Sequence, residues 1–242
     1  MLIIFTSYAL NIAINLRPGI IPDEEAHFAF SKHFATTWGL PPDTYDTYQW
    51  GWYIEQNPFL YHWINGRLIN LIQFMRPSIT DIDLLISLRV VNTLFAVGTV
   101  LFCFLLSKEI IKHKWWQLLP VFLLTNTTMF VFLAGGVNYD NLANLFSIAA
   151  LYFLVRTFTR EEFLKDSLIW MTLIALGTLV KFTLLPLALA MSLAWLIYII
   201  INRKSLVPMQ ITRPKPVILL FILITLLIIN FSIYGINLIK YQ

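Results

Sequence analysis

The chain has 242 residues, of which 58% are hydrophobic and only 12% are charged. Soluble domains carry roughly twice that fraction of charge, so the composition excludes an ordinary soluble protein and predicts an all-α polytopic membrane protein. The net charge of +4 is not a nucleic-acid signal, because the basic residues are confined to short loops between apolar segments. The one cysteine, Cys103, lies inside an apolar run, which excludes an internal disulfide framework and a CxxC metal site.

Seven apolar runs predict membrane spans. They cover residues 1–21, 84–106, 116–133, 142–155, 168–180, 184–201 and 217–236. The fourth and fifth runs are short for a crossing of about 20 residues, so we expect them to extend into their polar flanks or to be partly re-entrant. No cleavage pattern follows the first run, which predicts an uncleaved first span. Without repeats or linkers, residues 1–242 are predicted to form one membrane domain.

The distribution of charge predicts the orientation. The loops 107–115, 156–167 and 202–216 together hold ten Lys or Arg and four acidic residues, whereas residues 22–83 hold three basic and eight acidic residues. By the positive-inside rule the three basic loops and the N-terminus are cytoplasmic, and the long acidic loop is outside.

The acidic loop is rich in Trp and Tyr, which prefer the headgroup zone of a bilayer. The pattern predicts two amphipathic helices that lie on the outer membrane surface, at residues 23–38 and 58–75. A Pro- and Tyr-rich turn region separates them. The aromatic residues have two interpretations that their positions do not separate: they anchor the loop at the interface, or they form platforms that bind sugars.

The segment Pro22-Asp23-Glu24-Glu25-Ala26-His27-Phe28 places clustered carboxylates where the first span meets water. Proline followed by acidic residues also marks an ordinary helix start, where the carboxylates interact favourably with the helix dipole. In a helix, Asp23 and Glu24 would lie four and three residues before His27, which predicts both carboxylates near one imidazole on a single face.

Few charged residues lie outside the loops, and ionised groups in or near a span are costly enough to be functional candidates. They are Arg17, Arg89, Asp140, Lys181 and Lys240. The first and last lie at predicted span ends, where they can snorkel to water. The other three fall on the outer side, together with Asp23 and Glu24. This mixture fits either a structural salt-bridge cluster or transfer from a lipid phosphate, in which cations stabilise the departing phosphate and a carboxylate takes the proton of the acceptor.

These positions together resemble the GT-C superfamily of membrane glycosyltransferases, which includes protein O-mannosyltransferases and lipid A aminoarabinose transferases. Asp23-Glu24 with His27-Phe28 is similar to the acidic first-loop motif of the superfamily, and residues 136–140 are similar to its second acidic outer-loop element. Leu179-Val180-Lys181-Phe182 resembles the Lys segment that approaches the lipid phosphate. Ser87-Leu88-Arg89 resembles the Arg at the start of the second span.

The resemblance implies inverting transfer of a sugar from a polyprenyl-phosphate donor to an acceptor at the outer face of a bacterial cytoplasmic membrane. It implies Asp23 as the general base, oriented by Glu24 or His27. Arg89 and Lys181 would hold the phosphate, and Asp140 would position the acceptor or a cation. The implied partners are the donor and membrane lipids. We expect no cofactor, and the acidic residues and histidines have no diagnostic metal spacing.

The chain differs from the superfamily pattern at its C-terminus. Superfamily members usually continue into further spans, whereas this sequence stops at Gln242, just past an apolar run, so we expect a C-terminal truncation, a fragment or a stand-alone module. Two rival functions stay open. A transporter or lipid flippase would line a pathway with Arg89, Asp140 and Lys181, and a noncatalytic scaffold would use none of them. The sugar, the acceptor and the oligomeric state stay open as well.

Overall fold

The computed structural model describes residues 1–39, 58–160 and 162–202, and the regular elements in these ranges are helical. They are α1 (Leu2–Asn15), α2 (Glu24–Ala35), α3 (Leu60–Met75), α4 (Asp81–Ile110), α5 (Leu119–Thr125), α6 (Thr128–Ala134), α7 (Tyr139–Thr159), α8 (Phe163–Val180) and α9 (Leu185–Ile201). Short 3-10 turns at Trp116–Leu118 and Phe182–Leu184 lead into α5 and α9.

The prediction of an all-α polytopic membrane protein is confirmed. In the described part of the chain, four helical segments are long and apolar enough to cross a membrane: α4, α7, α8 and residues 182–201. A fifth candidate is the segment containing α5 and α6, which bends by 66° at residues 126 and 127. The predicted count of seven is not confirmed. The first run contains only the 14 residues of α1, short of a crossing of about 20, and the run 217–236 lies outside the described residues.

The two short predicted spans are longer in the structure than their apolar runs. The run 142–155 becomes the 21-residue helix α7, and the run 168–180 becomes the 18-residue helix α8. Both helices extend into polar residues whose side chains have partners. Asn138 caps α7 by accepting a hydrogen bond from the Asp140 backbone N–H at 2.8 Å, and Arg156 pairs with the buried Asp166 carboxylate at 3.1 Å. The expectation that these spans continue through their polar flanks is therefore correct.

Helix α7 lies between α4 and α8, and it packs closely against both. One apolar cluster joins α7, α8 and α9 around Trp170 and Trp195. A second cluster joins α3 to α4, α7 and the end of α8, with Tyr61 and Leu88 fully buried in it. This second cluster supports the candidate site, because it fixes the helix ends that carry the charged residues.

The two amphipathic segments of the acidic loop form helices, as predicted. They are α2 and α3, which pack against each other at Gly66, where a Cβ atom would lie only 2.7 Å from the Phe34 carbonyl carbon. Arg67 of α3 donates to the Phe34 carbonyl, and at 2.6 Å to the Thr37 carbonyl, which satisfies carbonyls at the C-terminal end of α2. Their position on a membrane surface stays a prediction.

A glycine pair brings α1 and the segment after it close to the start of α7. A Cβ atom on Gly135 would lie 2.5 Å from Cγ2 of Ile12, and one on Gly136 would lie 2.6 Å from Cδ1 of Ile21. Only glycine permits these approaches. They place the Val137 backbone N–H beside the N-terminus of α2, where it takes part in the candidate site.

Candidate functional site

A buried ion pair joins α2 to α4. Glu24 and Arg89 are each 1% exposed. The Arg89 Nε donates to Oε1 of Glu24 at 2.8 Å, and Nη2 donates to Oε2 of the same carboxylate. Such a two-point contact is the geometry in which a guanidinium binds a carboxylate best, and burial of either charge without the other would be strongly unfavourable.

The remaining polar atoms of this pair bind the backbone of two further elements. Arg89 Nη1 donates to the carbonyls of Leu16 at 2.6 Å and Ala13 at 3.3 Å, at the C-terminal end of α1. Oε1 of Glu24 accepts from the Val137 N–H at 3.1 Å. The pair therefore fixes four chain segments relative to one another. Its guanidinium is occupied by protein groups, and the predicted phosphate contact of Arg89 stays a prediction.

Asp23 and Glu24 lie in different environments, although they are adjacent in sequence. The predicted helix from residue 23 begins instead at Glu24, and Asp23 precedes it with a left-handed backbone (φ 59°) and an exposed side chain. Glu24 turns inward to Arg89. The Glu24 carboxylate therefore pairs with Arg89, and the Asp23 carbonyl accepts from the His27 N–H at 3.0 Å, while the predicted approach of both carboxylates to the His27 imidazole stays a prediction.

A second ion pair lies where α7 begins and α8 ends. Asp140 accepts a hydrogen bond from Lys181, and both side chains are partly exposed to solvent. The Lys181 Nζ also lies 4.7 Å from the centre of the Tyr139 ring, which places the ammonium over an aromatic face. Asp23 precedes α2, whose Glu24 accepts from the Val137 N–H and whose His27 ring contacts the Tyr139 ring, so the exposed Asp23 lies at the same end of the helices as this pair.

Beside Tyr139, two buried histidines contact each other. Nδ1 of His27 lies 3.1 Å from Nε2 of His62, and the ring centres of His27 and Tyr139 are 4.5 Å apart, edge to face. One of these two nitrogens donates and the other accepts, according to the tautomers of the two rings.

Burial keeps both imidazoles neutral. It lowers the pKa of His62 to about 3. The pKa of His27 is also well below its usual value, first because of burial and then because His62 and Lys181 are close. The hydrogen bond between the rings requires one ring nitrogen without a proton, so it agrees with this neutral state. His27 therefore contributes to the site as an uncharged group.

Asn92 of α4 connects the start of α7 to α3. Its Oδ1 accepts from the Tyr61 hydroxyl at 2.9 Å and lies 3.4 Å from both the Asn138 backbone N and Nδ2 of Asn141. The side chain is completely buried. Because three elements share one acceptor, this network fixes the turn that places Tyr139 and Asp140 beside Lys181.

The structure brings four of the six predicted site residues into two ion pairs, Glu24 with Arg89 and Asp140 with Lys181. Asp23 directly precedes Glu24 of the first pair. His27 is linked to the second pair through the Tyr139 ring. All six residues therefore belong to one region, while their catalytic roles stay predictions.

Sequence patterns do not single out several residues of this region. They predict only interfacial packing for His62, and they do not mark Asn92. Tyr61 is predicted only as one of the aromatic residues of the acidic loop, and Tyr139 only as part of the segment 136–140. The sequence signal is weak: Asn92 is a polar residue inside the second predicted span, and Tyr139 precedes a charged candidate. Among residues 1–39, 58–160 and 162–202, no group of three or more His, Cys, Asp or Glu side chains is arranged to hold a metal ion. The expected absence of a cofactor stays an expectation.

Because the histidine pair is neutral, we expect the free energy of unfolding to decrease as the pH is lowered. An unfolded histidine binds a proton near pH 6.5, whereas folded His62 does so only near pH 3. Stability is therefore complete above pH 6.5 and is lost as the pH falls below it, by about 1.4 kcal/mol for His62 between pH 7.5 and 5.5. We expect His62→Gln to reduce this loss, measured by thermal unfolding in detergent at the two pH values. The matched change at exposed His113 should leave the loss as it is, and an equal loss in His62→Gln would contradict the assignment.

In the described ranges, the several apolar helices and the charged cluster that joins α2, α4, α7 and α8 define a multi-span membrane protein with a polar site. A family model described as dolichyl-phosphate-mannose-protein mannosyltransferase matches residues 69–234, which is more than half of the chain. The chain belongs to this family, and it is thus a glycosyltransferase of the GT-C type. No curated protein and no solved structure matches it.

The matched range includes three of the predicted site residues, Arg89, Asp140 and Lys181. Asp23, Glu24 and His27 precede it. The family match confirms the resemblance to the GT-C superfamily. The acidic first-loop motif lies outside the matched residues and contacts them through the buried pair of Glu24 and Arg89.

Proposed function

We propose that this protein transfers a sugar from a polyprenyl-phosphate donor to an acceptor at the outer face of a bacterial cytoplasmic membrane, with inversion at the sugar carbon. Family membership supports a glycosyltransferase. The observation that carries the finer proposal is the position of an exposed carboxylate, Asp23, at the start of α2, whose His27 contacts the Tyr139 ring over which Asp140 holds Lys181. A base and a phosphate-binding cation are the two groups that this reaction requires.

In the proposed reaction, the Asp23 carboxylate takes the proton of the acceptor group. The acceptor atom then bonds to the anomeric carbon from the face opposite the phosphate, while the bond between this carbon and the phosphate oxygen breaks. The electron pair leaves with the polyprenyl phosphate. Lys181 stabilises the added negative charge on that phosphate. A single displacement of this kind inverts the configuration of the sugar carbon.

The other candidates act by positioning. Glu24 and Arg89 hold the start of α2, and therefore Asp23, against α1 and α4. Asp140 fixes the Lys181 ammonium, and the Tyr139 ring lies between Lys181 and His27. Arg89 could contact phosphate only by giving up protein partners. We therefore assign the phosphate contact to Lys181, whose side chain is partly exposed.

Replacement of Lys181 tests the phosphate contact. We expect Lys181→Gln to raise the KM for the polyprenyl-phosphate sugar at least about tenfold, because one charged hydrogen bond to a phosphate contributes about 1.5–3 kcal/mol. Lys181→Arg should recover part of the loss, since the positive charge is kept. The measurement is sugar release and transfer in membranes supplied with a mixed pool of polyprenyl-phosphate sugars.

The matched control for this change is Lys108→Gln, which alters an exposed lysine near the other end of α4. It should leave the KM for the donor unchanged. An unchanged KM in Lys181→Gln, at equal membrane insertion, would remove Lys181 from the donor site. Wild-type protein that is inserted but neither releases nor transfers sugar would overturn the proposed function itself.

A further inference from the structure

A groove of about 580 Å³ lies between α2 and the first turns of α4, separate from the contacts that hold Lys181. Five of its eleven lining residues are apolar, among them Phe28 and Ala29 of α2 and Ile82 and Leu85 of α4. The other six are polar or charged, and they include Lys32 and Asp81. A cleft that combines apolar side chains with polar and charged ones suits a small molecule that has both an apolar portion and a polar group.

One end of the groove reaches the base proposed above. Glu24 lines the groove, and Asp23 is the preceding residue. One face of α2 lines the groove with Phe28 and Ala29. The opposite face carries His27, which contacts His62 and Tyr139. Asp23 therefore stands at the start of α2, where the groove begins at Glu24, and His27 of the same helix contacts Tyr139 beside the Lys181 pair.

The mouth of the groove combines an apolar surface with an ion pair that can open. Ile82 lines the groove and is 60% exposed, as expected for a side chain that faces lipid. Lys32 and Asp81 meet at 2.8 Å and are both largely exposed. Such exposed pairs contribute only about 0–1 kcal/mol, so a bound molecule can displace this one at little cost.

We infer that this groove binds the acceptor, and that the acceptor is a membrane lipid with a free hydroxyl in its headgroup. The inference rests on the proposed function. The apolar portion of the lipid lies along Phe28, Ala29 and Leu85, and its hydroxyl lies at the Glu24 end, beside Asp23. Transfer then moves the hydroxyl proton to the Asp23 carboxylate, forms the bond from the lipid oxygen to the sugar carbon and releases the polyprenyl phosphate.

A substitution that fills the groove tests this inference. Ala29→Trp adds a large side chain on the groove wall, and Leu71→Trp is the matched control, because it adds the same side chain at an exposed position on α3. The first measurement is photocrosslinking of a diacylglycerol that carries a diazirine in one acyl chain to the chain in phosphatidylethanolamine vesicles, whose lipid has no headgroup hydroxyl. The second measurement is transfer from the polyprenyl-phosphate sugar to diacylglycerol, to a short serine-containing peptide and to water.

We expect crosslinks on α2 and the start of α4 in the wild type and in Leu71→Trp, with at least a fivefold loss in Ala29→Trp. The KM for diacylglycerol should rise at least tenfold in Ala29→Trp, while release of sugar to water persists. Crosslinks that survive Ala29→Trp, or that an excess of phosphatidylcholine removes as well as unlabelled diacylglycerol does, would overturn the inference. Preferred transfer to the peptide, unaffected by Ala29→Trp, would do the same.

The two proposals fail in different ways. If the chain binds diacylglycerol in the groove but transfers no sugar to any acceptor, then the proposed function fails, and with it the role of the lipid as acceptor. If sugar transfer depends on Asp23 but not on the groove, then only the assignment of the groove fails.

Discussion

Asp23→Asn should abolish most sugar transfer, with a fall in kcat/KM of about 10²- to 10⁴-fold, the usual contribution of a general base. Asparagine keeps the size of the side chain but cannot accept a proton from the acceptor. It also tolerates the left-handed backbone of residue 23, so the substitution changes the chemistry without adding strain. An alanine at this position would confuse the two effects. The measurement is transfer in membranes from polyprenyl-phosphate sugars, at equal membrane insertion.

Asp83→Asn is the control for this experiment. Asp83 is another exposed carboxylate near the start of a helix, and asparagine can still accept the hydrogen bond that the Thr80 hydroxyl donates to it at 2.9 Å. This variant should retain wild-type transfer. If Asp23→Asn kept full activity while Lys181→Gln lost it, the base would have to be another group, and the proposed role of the left-handed residue would be discarded.

Glu24→Gln should destabilise the protein more than Asp23→Asn, Lys181→Gln or His62→Gln does. It leaves the guanidinium of Arg89 buried with a neutral partner, and removal of one charge from a buried pair costs about 3–5 kcal/mol. The loss should appear as a lower unfolding temperature in detergent. It should also lower sugar transfer, because Glu24 fixes the start of α2 through both Arg89 and the Val137 N–H.

A double substitution separates the charge from the packing. Glu24→Met with Arg89→Met removes both buried charges and should be more stable than Glu24→Gln, although the carbonyl of Leu16 and the N–H of Val137 then lose their partners. The exposed pair between Lys165 and Glu162 is the control, and Lys165→Ala should cost less than about 1 kcal/mol. A cost as small as this for Glu24→Gln would mean that the buried pair does not hold the site together.

The two experiments together distinguish a base from a positioning residue. Asp23 is exposed and should affect transfer without affecting unfolding, whereas Glu24 is buried and should affect both. A noncatalytic scaffold predicts no transfer at either position: Asp23→Asn would change little, and Glu24→Gln would lower only the unfolding temperature. Single substitutions at these two neighbouring carboxylates therefore distinguish an enzyme from a noncatalytic scaffold.

The sequence by itself determined the membrane class, the helical fold and the family resemblance. Apolar runs specify buried or lipid-facing helices because each backbone polar group must find a partner inside the bilayer, and the helix satisfies this locally. The ends of α7 and α8 were less predictable. Asp140 and Asp166 would be unfavourable in a span on composition alone, but Lys181 and Arg156 neutralise them.

Tertiary structure alone decided which charges meet. From local spacing, Glu24 was predicted to lie near His27, only three residues away. A buried carboxylate is stabilised far more by a guanidinium than by a neutral imidazole. The guanidinium that Glu24 contacts belongs to Arg89, which is 65 residues distant in the chain. The contact of His27 with His62 and the sharing of Asn92 by three elements depend in the same way on how helices pack. Periodicity and charge specify each helix separately. The partners of buried polar groups are set by packing between helices, which a single sequence does not specify.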